Sequence, residues 1–153
     1  MDDRGGHAAL AASSLAGQLL EGLPDALVVA DVEGVIRFWN AGAERIFGFP
    51  AAEALGRPLD IIIPENLRAR HNSGYEQTMK TGETRYGAGD LLAVPALRKD
   101  GARISVQFSI LPLVGADGGM TGIAAVMRDV TADFEERKRL RKELAAARKA
   151  ARG

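Results

Sequence analysis

A regular alternation of apolar and polar side chains marks the second half of the chain as rich in strands. In the run 103–114, the apolar residues Ile104, Val106, Phe108 and Ile110 alternate with polar ones, and the last four residues are apolar. This period of two is typical of an antiparallel strand with one buried face. Apolar runs at 91–98 and 120–130 flank it, and glycine-containing turns at 99–101 and 115–119 separate the three. We therefore predict three consecutive strands.

Two shorter strands are predicted near the start of the chain. Residues 25–39 are rich in apolar and β-branched side chains and contain Glu33-Gly34 near their centre, which favours a hairpin with its turn at that pair. Asn40 suits the N-cap of a following helix, because its side-chain oxygen can accept a hydrogen bond from an unpaired backbone N–H. That helix should end at Gly48.

Several small helices are expected between the two strand regions. Residues 50–55 predict a helical turn, residues 59–63 a compact apolar step, and residues 65–80 a longer helix that stops at Gly82. The glycine-rich residues 84–90 predict a loop. Two strands, small helices and three strands in this order predict an α+β fold, with a five-stranded antiparallel sheet and helices packed on one face. The centre of such a domain can hold a small-molecule cavity.

Both ends of the chain are predicted to be helical extensions. Residues 8–22 predict an amphipathic helix. Its apolar stripe consists of Ala8, Ala12, Leu15 and Leu19. Such a stripe must pack on the domain itself or on a second copy in a homodimer. From Asp133 onward, a charged helix with a weak coiled-coil spacing predicts a connector to a downstream domain or partner protein in a longer chain. We divide the chain into an N-terminal tail and cap helix at 1–22, a central domain at 23–131 and a connector at 132–153.

Composition and charge narrow the function classes. Twenty Lys and Arg balance twenty Asp and Glu in 153 residues, so no overall field attracts nucleic acid or an anionic membrane. Residues 131–153 carry eight basic against four acidic side chains, which we interpret as a solvated helix face. Because a run of about 18 apolar residues and a basic signal-peptide region are both missing, we expect a cytoplasmic protein. The absence of cysteine excludes disulfides, thiolate metal sites and cysteine nucleophiles.

Three local motifs resemble the PAS family of sensor domains. Residues 35–49 contain Val-Ile-Arg-Phe-Trp-Asn and, two residues later, Ala-Glu-Arg-Ile-Phe-Gly-Phe, which look like the second strand and first core helix of that family. Arg-Lys-Asp-Gly at 98–101 resembles one of its hairpins. Arg-Asp-Val-Thr at 128–131 resembles its exit into a signalling helix. The likeness covers about residues 20–133, and it implies the PAS fold and a signalling role rather than an enzyme.

One of the two histidines stands in a segment similar to a haem-binding one. Arg-His-Asn-Ser at 70–73 resembles the stretch that carries the iron ligand in rhizobial oxygen-sensor kinases of this family, and is similar to bacterial haem PAS proteins that sense carbon monoxide. The resemblance implies that His71 binds the iron of haem b, and a neutral imidazole is a good iron ligand. The expected site residues are His71, Ile62, Leu67, Arg68, Tyr75, Met79, Arg85, Leu92, Val106, Phe108, Ile110, Ile123 and Met127.

The apolar members of this set would form the walls of a slot for the porphyrin, and cationic or hydrogen-bonding side chains would hold the haem propionates. The candidates for the second task are Arg68, Arg70, Arg85, Tyr75 and Gln77. The expected signal is a diatomic gas (O2, CO or NO) or a redox change at the iron. We expect no enzyme activity beyond an incidental peroxidase-like reaction of exposed haem.

The chain departs from the oxygen-sensor pattern where a bound gas would lie. Those proteins carry an arginine on the strand after the helix, but the corresponding position falls near Leu92, and the distal positions fall on Phe108 and Ile110. Bound O2 loses charge stabilisation without a hydrogen-bond donor. Binding of CO or NO depends less on such a donor.

Three alternatives stay open. A methionine could close the sixth coordination position of the iron, and the candidates are Met79, Met120 and Met127. His71 could instead be a surface or structural residue, because PAS domains without a cofactor also carry basic stretches in this helix. The chain would then be a cofactor-free module for dimerisation or small-ligand binding. A non-covalent flavin redox sensor is the third alternative, whereas the cysteine photoadduct and coumaroyl attachment of other family members are excluded.

Overall fold

A five-stranded antiparallel sheet forms the centre of the protein. A computed structural model describes residues 12–84 and 92–153. The strands are β1 (Ala26–Asp31), β2 (Ile36–Trp39), β3 (Leu92–Leu97), β4 (Arg103–Val114) and β5 (Met120–Asp129), in the spatial order β2-β1-β5-β4-β3. Each neighbouring pair is antiparallel. With the helices that accompany it, this sheet confirms the predicted α+β class and strand number.

Helices connect and flank the strands. They are α1 (Ala12–Gly22), α2 (Ala41–Phe47), α3 (Ala51–Ala54), α4 (Arg68–Thr81) and α5 (Thr131–Arg152), with 3-10 turns at Leu59–Ile62 and Glu65–Leu67. The start of the helix predicted from residue 65 is therefore a 3-10 turn, and α4 begins three residues later. Residues 8–11 of the predicted first helix, with Ala8 of its stripe, and residues 85–90 of the predicted loop lie outside the described residues.

Side-chain hydrogen bonds fix the hairpin between β1 and β2. The Asp31 carboxylate accepts from the backbone N–H groups of Glu33 and Val35 at 2.9 and 3.0 Å. Gly34 adopts a φ of 79° in the turn, a conformation that glycine tolerates without steric cost. The turn thus lies at the predicted Glu33-Gly34 pair.

The fully buried Asn40 fixes the junction of β1 and α2. Its Oδ1 accepts from the N–H of Ala43 at 2.9 Å, which is the predicted N-cap contact, and from the N–H of Leu27 in β1 at 2.8 Å. Its Nδ2 donates to the carbonyl oxygen of Asp25 at 3.1 Å. One side chain thereby joins the first strand to the first core helix, and that helix ends at Gly48 as predicted.

The packed core joins α2, α3 and the turn at Leu59–Ile62 to residues of all five strands, and its two largest rings lie at the β2–α2 end. Trp39 and Phe47 are both buried, with ring centroids 5.5 Å apart. The indole N–H of Trp39 donates to the carbonyl oxygen of Phe49 at 2.9 Å, so its polar atom is satisfied inside the core. Burial of each such side chain contributes on the order of 1.5–3 kcal/mol. This part of the core fixes the position of the sheet. The same sheet forms one wall of a cavity under α4.

The last strand passes into α5 through a hydrogen-bonded turn. The N–H of Val130 donates to the carbonyl oxygen of Ser105 at 2.8 Å, and the N–H of Thr131 donates to Oδ1 of Asp129 at 3.0 Å. The Thr131 hydroxyl oxygen accepts from the N–H of Ser105 at 3.0 Å. These contacts start α5 two residues before the predicted Asp133. Within the described part of the chain, the helices lack the combination of length and apolar character that a bilayer span requires.

Candidate ligand-binding cavity

A cavity of about 760 Å³ lies between α4 and the inner face of the sheet. Its volume falls within the range of about 300–1,000 Å³ that is usual for small-molecule sites. The sheet contributes Val28, Ala30, Val94, Pro95, Ala96, Val106, Phe108, Ile110, Ile123, Ala125 and Met127, and the helical side contributes Leu59, Ile62, Ile63, Leu67, Arg70, His71, Ser73, Gly74, Tyr75, Gln77, Thr78, Glu83 and Thr84. The volume beneath α4 is hollow rather than filled by side chains.

Strand pairing stacks apolar side chains on the sheet wall. Ala125 of β5 lies opposite Val28 of β1 on one side and Ile110 of β4 on the other, and Met127 is paired with Phe108. Since alternate residues of a strand face the same side, the predicted apolar set of β4 and these partners share one face. Every sheet residue that borders the cavity is apolar.

The polar side chains of the cavity come from residues 70–84, that is, from α4 and the segment that follows it. Arg70 and Gln77 stand two turns apart on α4 and are exposed at the rim. Thr78 is buried, and its hydroxyl donates to the carbonyl oxygen of Gly74 at 3.0 Å. The cavity thus has an apolar sheet wall and a helical wall in which polar side chains of α4 stand beside apolar ones from residues 59–67. In residues 12–84 and 92–153, no three His, Asp or Glu side chains cluster as a metal-ion site.

His71 lies half-buried on α4 and borders the cavity. Its Nδ1 is 3.3 Å from Oδ1 of Asn72. In the tautomer that donates this hydrogen bond from Nδ1, Nε2 keeps the lone pair with which a neutral imidazole binds a metal. His71 also borders a second cavity of about 470 Å³ beside the β1–β2 hairpin, so its ring stands at the boundary between the two.

Tyr75, one turn after His71, ties α4 to the sheet. The two ring centroids are 6.1 Å apart. The tyrosine hydroxyl donates to the carbonyl oxygen of Asp31 at the end of β1. Burial, with a smaller contribution from the negative charge of Asp31, raises the pKa of Tyr75 to about 12. The hydroxyl hydrogen is therefore already engaged within the protein, and the role of Tyr75 as one of the candidate partners of a haem propionate stays a prediction.

Most residues expected at the site from the sequence border this cavity. They are His71, Ile62, Leu67, Tyr75, Val106, Phe108, Ile110, Ile123 and Met127. Arg85 and the side chain of Leu92 lie outside the described residues. Of the three methionines considered as a sixth ligand, Met127 borders the cavity.

Arg68 and Met79 do not border the large cavity, which corrects their expected positions. The Nε of Arg68 donates to the carbonyl oxygen of Ile63 at 3.0 Å, so its guanidinium folds back onto the turn before α4. Met79 borders the second cavity instead, together with Val32. A helix turns by about 100° per residue, so His71 and Met79, eight positions apart, point about 80° away from each other.

Sequence reasoning missed several residues of the site. On the helical wall these are small or polar, namely Ser73, Gly74, Thr78, Glu83 and Thr84. Their composition is that of a solvent-facing helix side, so nothing in the sequence distinguished them. On the sheet wall, Val28 and Ala30 could have been found, because they occupy alternate positions of a strand that was predicted.

The fold and the cavity together define a class of protein. A mixed sheet-and-helix domain with a hollow centre can hold a small molecule, and here a helix leads away from the last strand. In agreement, a protein-family model described as PAS fold matches residues 20–133. The chain belongs to the PAS family and is a PAS signalling sensor domain.

Curated relatives are sensor proteins much longer than this chain. The chain is 32% identical over 122 residues to the sensor protein FixL of Bradyrhizobium diazoefficiens, covering 80% of this chain and 24% of FixL. It is 28% identical over 111 residues to the oxygen sensor protein DosP of Escherichia coli, covering 72% of this chain and 14% of DosP. The chain therefore spans about a quarter or less of the length of these relatives.

Solved structures with low sequence identity have the same fold. A PAS domain from Colwellia psychrerythraea has a TM-score of 0.67 and 23% identity, covering 78% of this chain and 98% of that one. An RNA-binding Light-Oxygen-Voltage receptor has a TM-score of 0.70 and 22% identity, covering 95% of this chain and 40% of that one. At these identities, the likeness establishes the fold.

Proposed function

We propose that this PAS domain binds haem b through His71 and responds to a diatomic gas or to a change of redox state. The observation that carries the proposal is the position of His71 on the wall of a hollow of about 760 Å³. The similarity of residues 70–73 to the iron-binding stretch of haem PAS proteins supports the same assignment, as does the relationship to FixL and DosP.

The residues around the cavity fit a porphyrin. Its sheet wall is apolar throughout, which suits the faces of a flat macrocycle. On the helical side, Nε2 of His71 is available in the tautomer that Asn72 favours, and Arg70 supplies a cation at the rim for a carboxylate. Haem, when bound, supplies an iron centre that a gas can reach. The chain itself holds the imidazole, excludes water and presents the apolar wall.

The chemistry of the sheet wall bears on which gas is sensed. Phe108, Ile110 and Met127 cannot donate a strong hydrogen bond to a bound ligand. Since bound O2 depends on such a donor more than CO does, this wall favours CO or NO. A redox response would use the same wall, where the thioether of Met127 could serve as a ligand.

The signal would leave the domain through β5. Ala125 and Met127 border the cavity, and the same strand continues through Asp129 and Thr131 into α5. A ligand that shifts the packing of β5 would thereby reorient α5, which is a two-state element biased by binding. Homodimerisation through α1 belongs to this proposal, because Leu15 and Leu19 are 38% and 51% exposed in one copy and offer an uncovered apolar stripe.

An absorbance titration with haem tests the proposal. The purified chain should develop a Soret band, and His71→Ala should weaken haem binding by at least about 100-fold, more than is usual for changes outside the metal's ligands. His7→Ala, which removes the other histidine, is the matched control and should bind like the wild type. A wild-type protein without a Soret band contradicts haem binding, and equal affinity in His71→Ala contradicts the ligand assignment.

The alternative functions give different outcomes in the same experiment. If the chain is a cofactor-free PAS module for dimerisation or small-ligand binding, the protein should show no absorbance band of a bound cofactor after haem or flavin is supplied. A non-covalent flavin sensor gives a yellow protein whose colour does not depend on His71.

A further inference from the structure

Gly74 occupies an unusual place in α4. It lies within the helix and borders the large cavity. After proline, glycine is the residue least suited to a helix interior, because it gives up the most backbone entropy and buries no side chain. A glycine at such a position therefore calls for a local reason.

The protein's own packing does not supply that reason. A Cβ built on Gly74 meets no atom within 4 Å, and its φ is not positive. Gly42 is different, since a Cβ there would stand 2.1 Å from the carbonyl oxygen of Asp25. Alanine would fit at residue 74 in the ligand-free chain and would favour the helix.

The neighbours of Gly74 show what its bare backbone faces. His71 precedes it by three residues and Thr78 follows it by four, so the three lie on one face of α4. All three border the cavity. The Thr78 hydroxyl donates to the carbonyl oxygen of Gly74 at 3.0 Å. It is thus turned back onto the helix backbone instead of projecting into the cavity.

We propose that Gly74 determines which ligand the cavity accepts, by leaving room for a broad flat ring to lie against α4 beside His71. The inference rests on the proposed haem function and deepens it. A macrocycle held end-on by an imidazole extends sideways over the residues one turn away on the same helix face. A side chain at Gly74 would press on the face of that ring, whereas a smaller or slimmer ligand would not need the space.

Two substitutions at Gly74 and one matched control test this role in the full chain. Gly74→Ala adds one methyl group and Gly74→Leu a side chain long enough to reach the ring. Gly17→Ala is the control, because Gly17 also lies within a helix, has no atom within 4 Å of a built Cβ, and does not border the cavity. The measurements are the thermal midpoint of the ligand-free protein and the dissociation constant for haem from the Soret band.

The expected results have opposite signs. Gly74→Ala and Gly17→Ala should both raise the ligand-free midpoint by about 2–4 °C, as helix propensity requires. Haem affinity should fall at least about tenfold in Gly74→Leu, fall less in Gly74→Ala, and stay unchanged in Gly17→Ala. A role in stability alone would not lower affinity while raising the midpoint.

The outcomes separate this inference from the proposed function. A wild-type protein that binds haem, with Gly74→Leu binding it equally well, overturns the role of Gly74 and leaves the haem proposal intact. A wild-type protein without a Soret band overturns both. If Gly74→Leu fails to fold, Gly74→Ala decides, and wild-type affinity in that variant counts against the inference.

Discussion

Replacing Asn40 by alanine should cost a large part of the stability of the domain. The side chain is fully buried and makes three hydrogen bonds, two as acceptor and one as donor. Loss of the N-cap contact to Ala43 costs about 1 kcal/mol. Loss of the contact to Leu27 leaves a buried backbone N–H without a partner, which costs about 1–3 kcal/mol. The free energy of unfolding should therefore fall by about 2–4 kcal/mol, out of the about 5–15 kcal/mol typical of whole domains.

Urea unfolding followed by circular dichroism measures this loss. With a slope of about 2 kcal/mol per molar urea, in the middle of the usual range for small proteins, the midpoint of Asn40→Ala should fall by about 1–2 M. Asn66→Ala is the matched control, because Asn66 is exposed and its side chain accepts one hydrogen bond, from Arg103 at 3.3 Å. Its free energy of unfolding should stay within about 0.5 kcal/mol of the wild type. A loss below about 1 kcal/mol in Asn40→Ala would refute the reasoning from buried hydrogen bonds.

Two further predictions concern α4 and the middle of the sheet. Burial raises the pKa of Tyr75 from 10.0 to about 12, so folding favours the neutral phenol; the resulting stability is complete below about pH 10 and is lost as the pH rises to about 12. Urea midpoints measured across this range should fall more steeply in the wild type than in Tyr75→Phe, and parallel curves would contradict the buried hydroxyl. Gly122→Ala places a Cβ 2.1 Å from the carbonyl oxygen of Ala30, so β1 and β5 must separate; we expect unfolding to become easier by at least about 2 kcal/mol, and a normal midpoint would refute the contact.

The strands were predictable because their signals are local. The alternation over residues 103–110, with the apolar run that continues to the glycine at 115, predicted β4 with the bounds that the structure has. Asn40 predicted the start of α2, because an N-cap residue acts on a backbone N–H only three positions away. The start of α5 was placed too late, because Thr131 is held by Asp129 and by Ser105 on a neighbouring strand, and the second of these contacts is not local.

The helical wall of the cavity was harder to predict than the sheet wall. A strand has two faces, so its apolar residues fix which side is buried. In α4 the residues that face the cavity include Gly74 and Thr78, whose chemistry does not mark an inner side. The pattern of hydrophobic residues therefore does not show which side of α4 faces the sheet. For this reason Met79 was expected at the large cavity, although it borders the second one. His71 was found through its resemblance to an iron-binding stretch rather than through any periodicity.

The same asymmetry between the walls has a consequence for signalling. The polar side chains of the cavity belong mainly to α4, and the Tyr75 hydroxyl fastens this helix to the end of β1. The apolar sheet wall includes β5, the strand that continues into α5. A ligand that touches both walls would set the distance between α4, which is held at the β1–β2 hairpin, and β5, which leads into α5. The sheet wall offers apolar contacts and no directed hydrogen bonds, so it would hold a ligand less rigidly than His71 on α4 would, although β5 itself stays paired with β1 and β4. Under the proposed function, a change in the packing of β5 would reach Asp129 and Thr131 and from there α5.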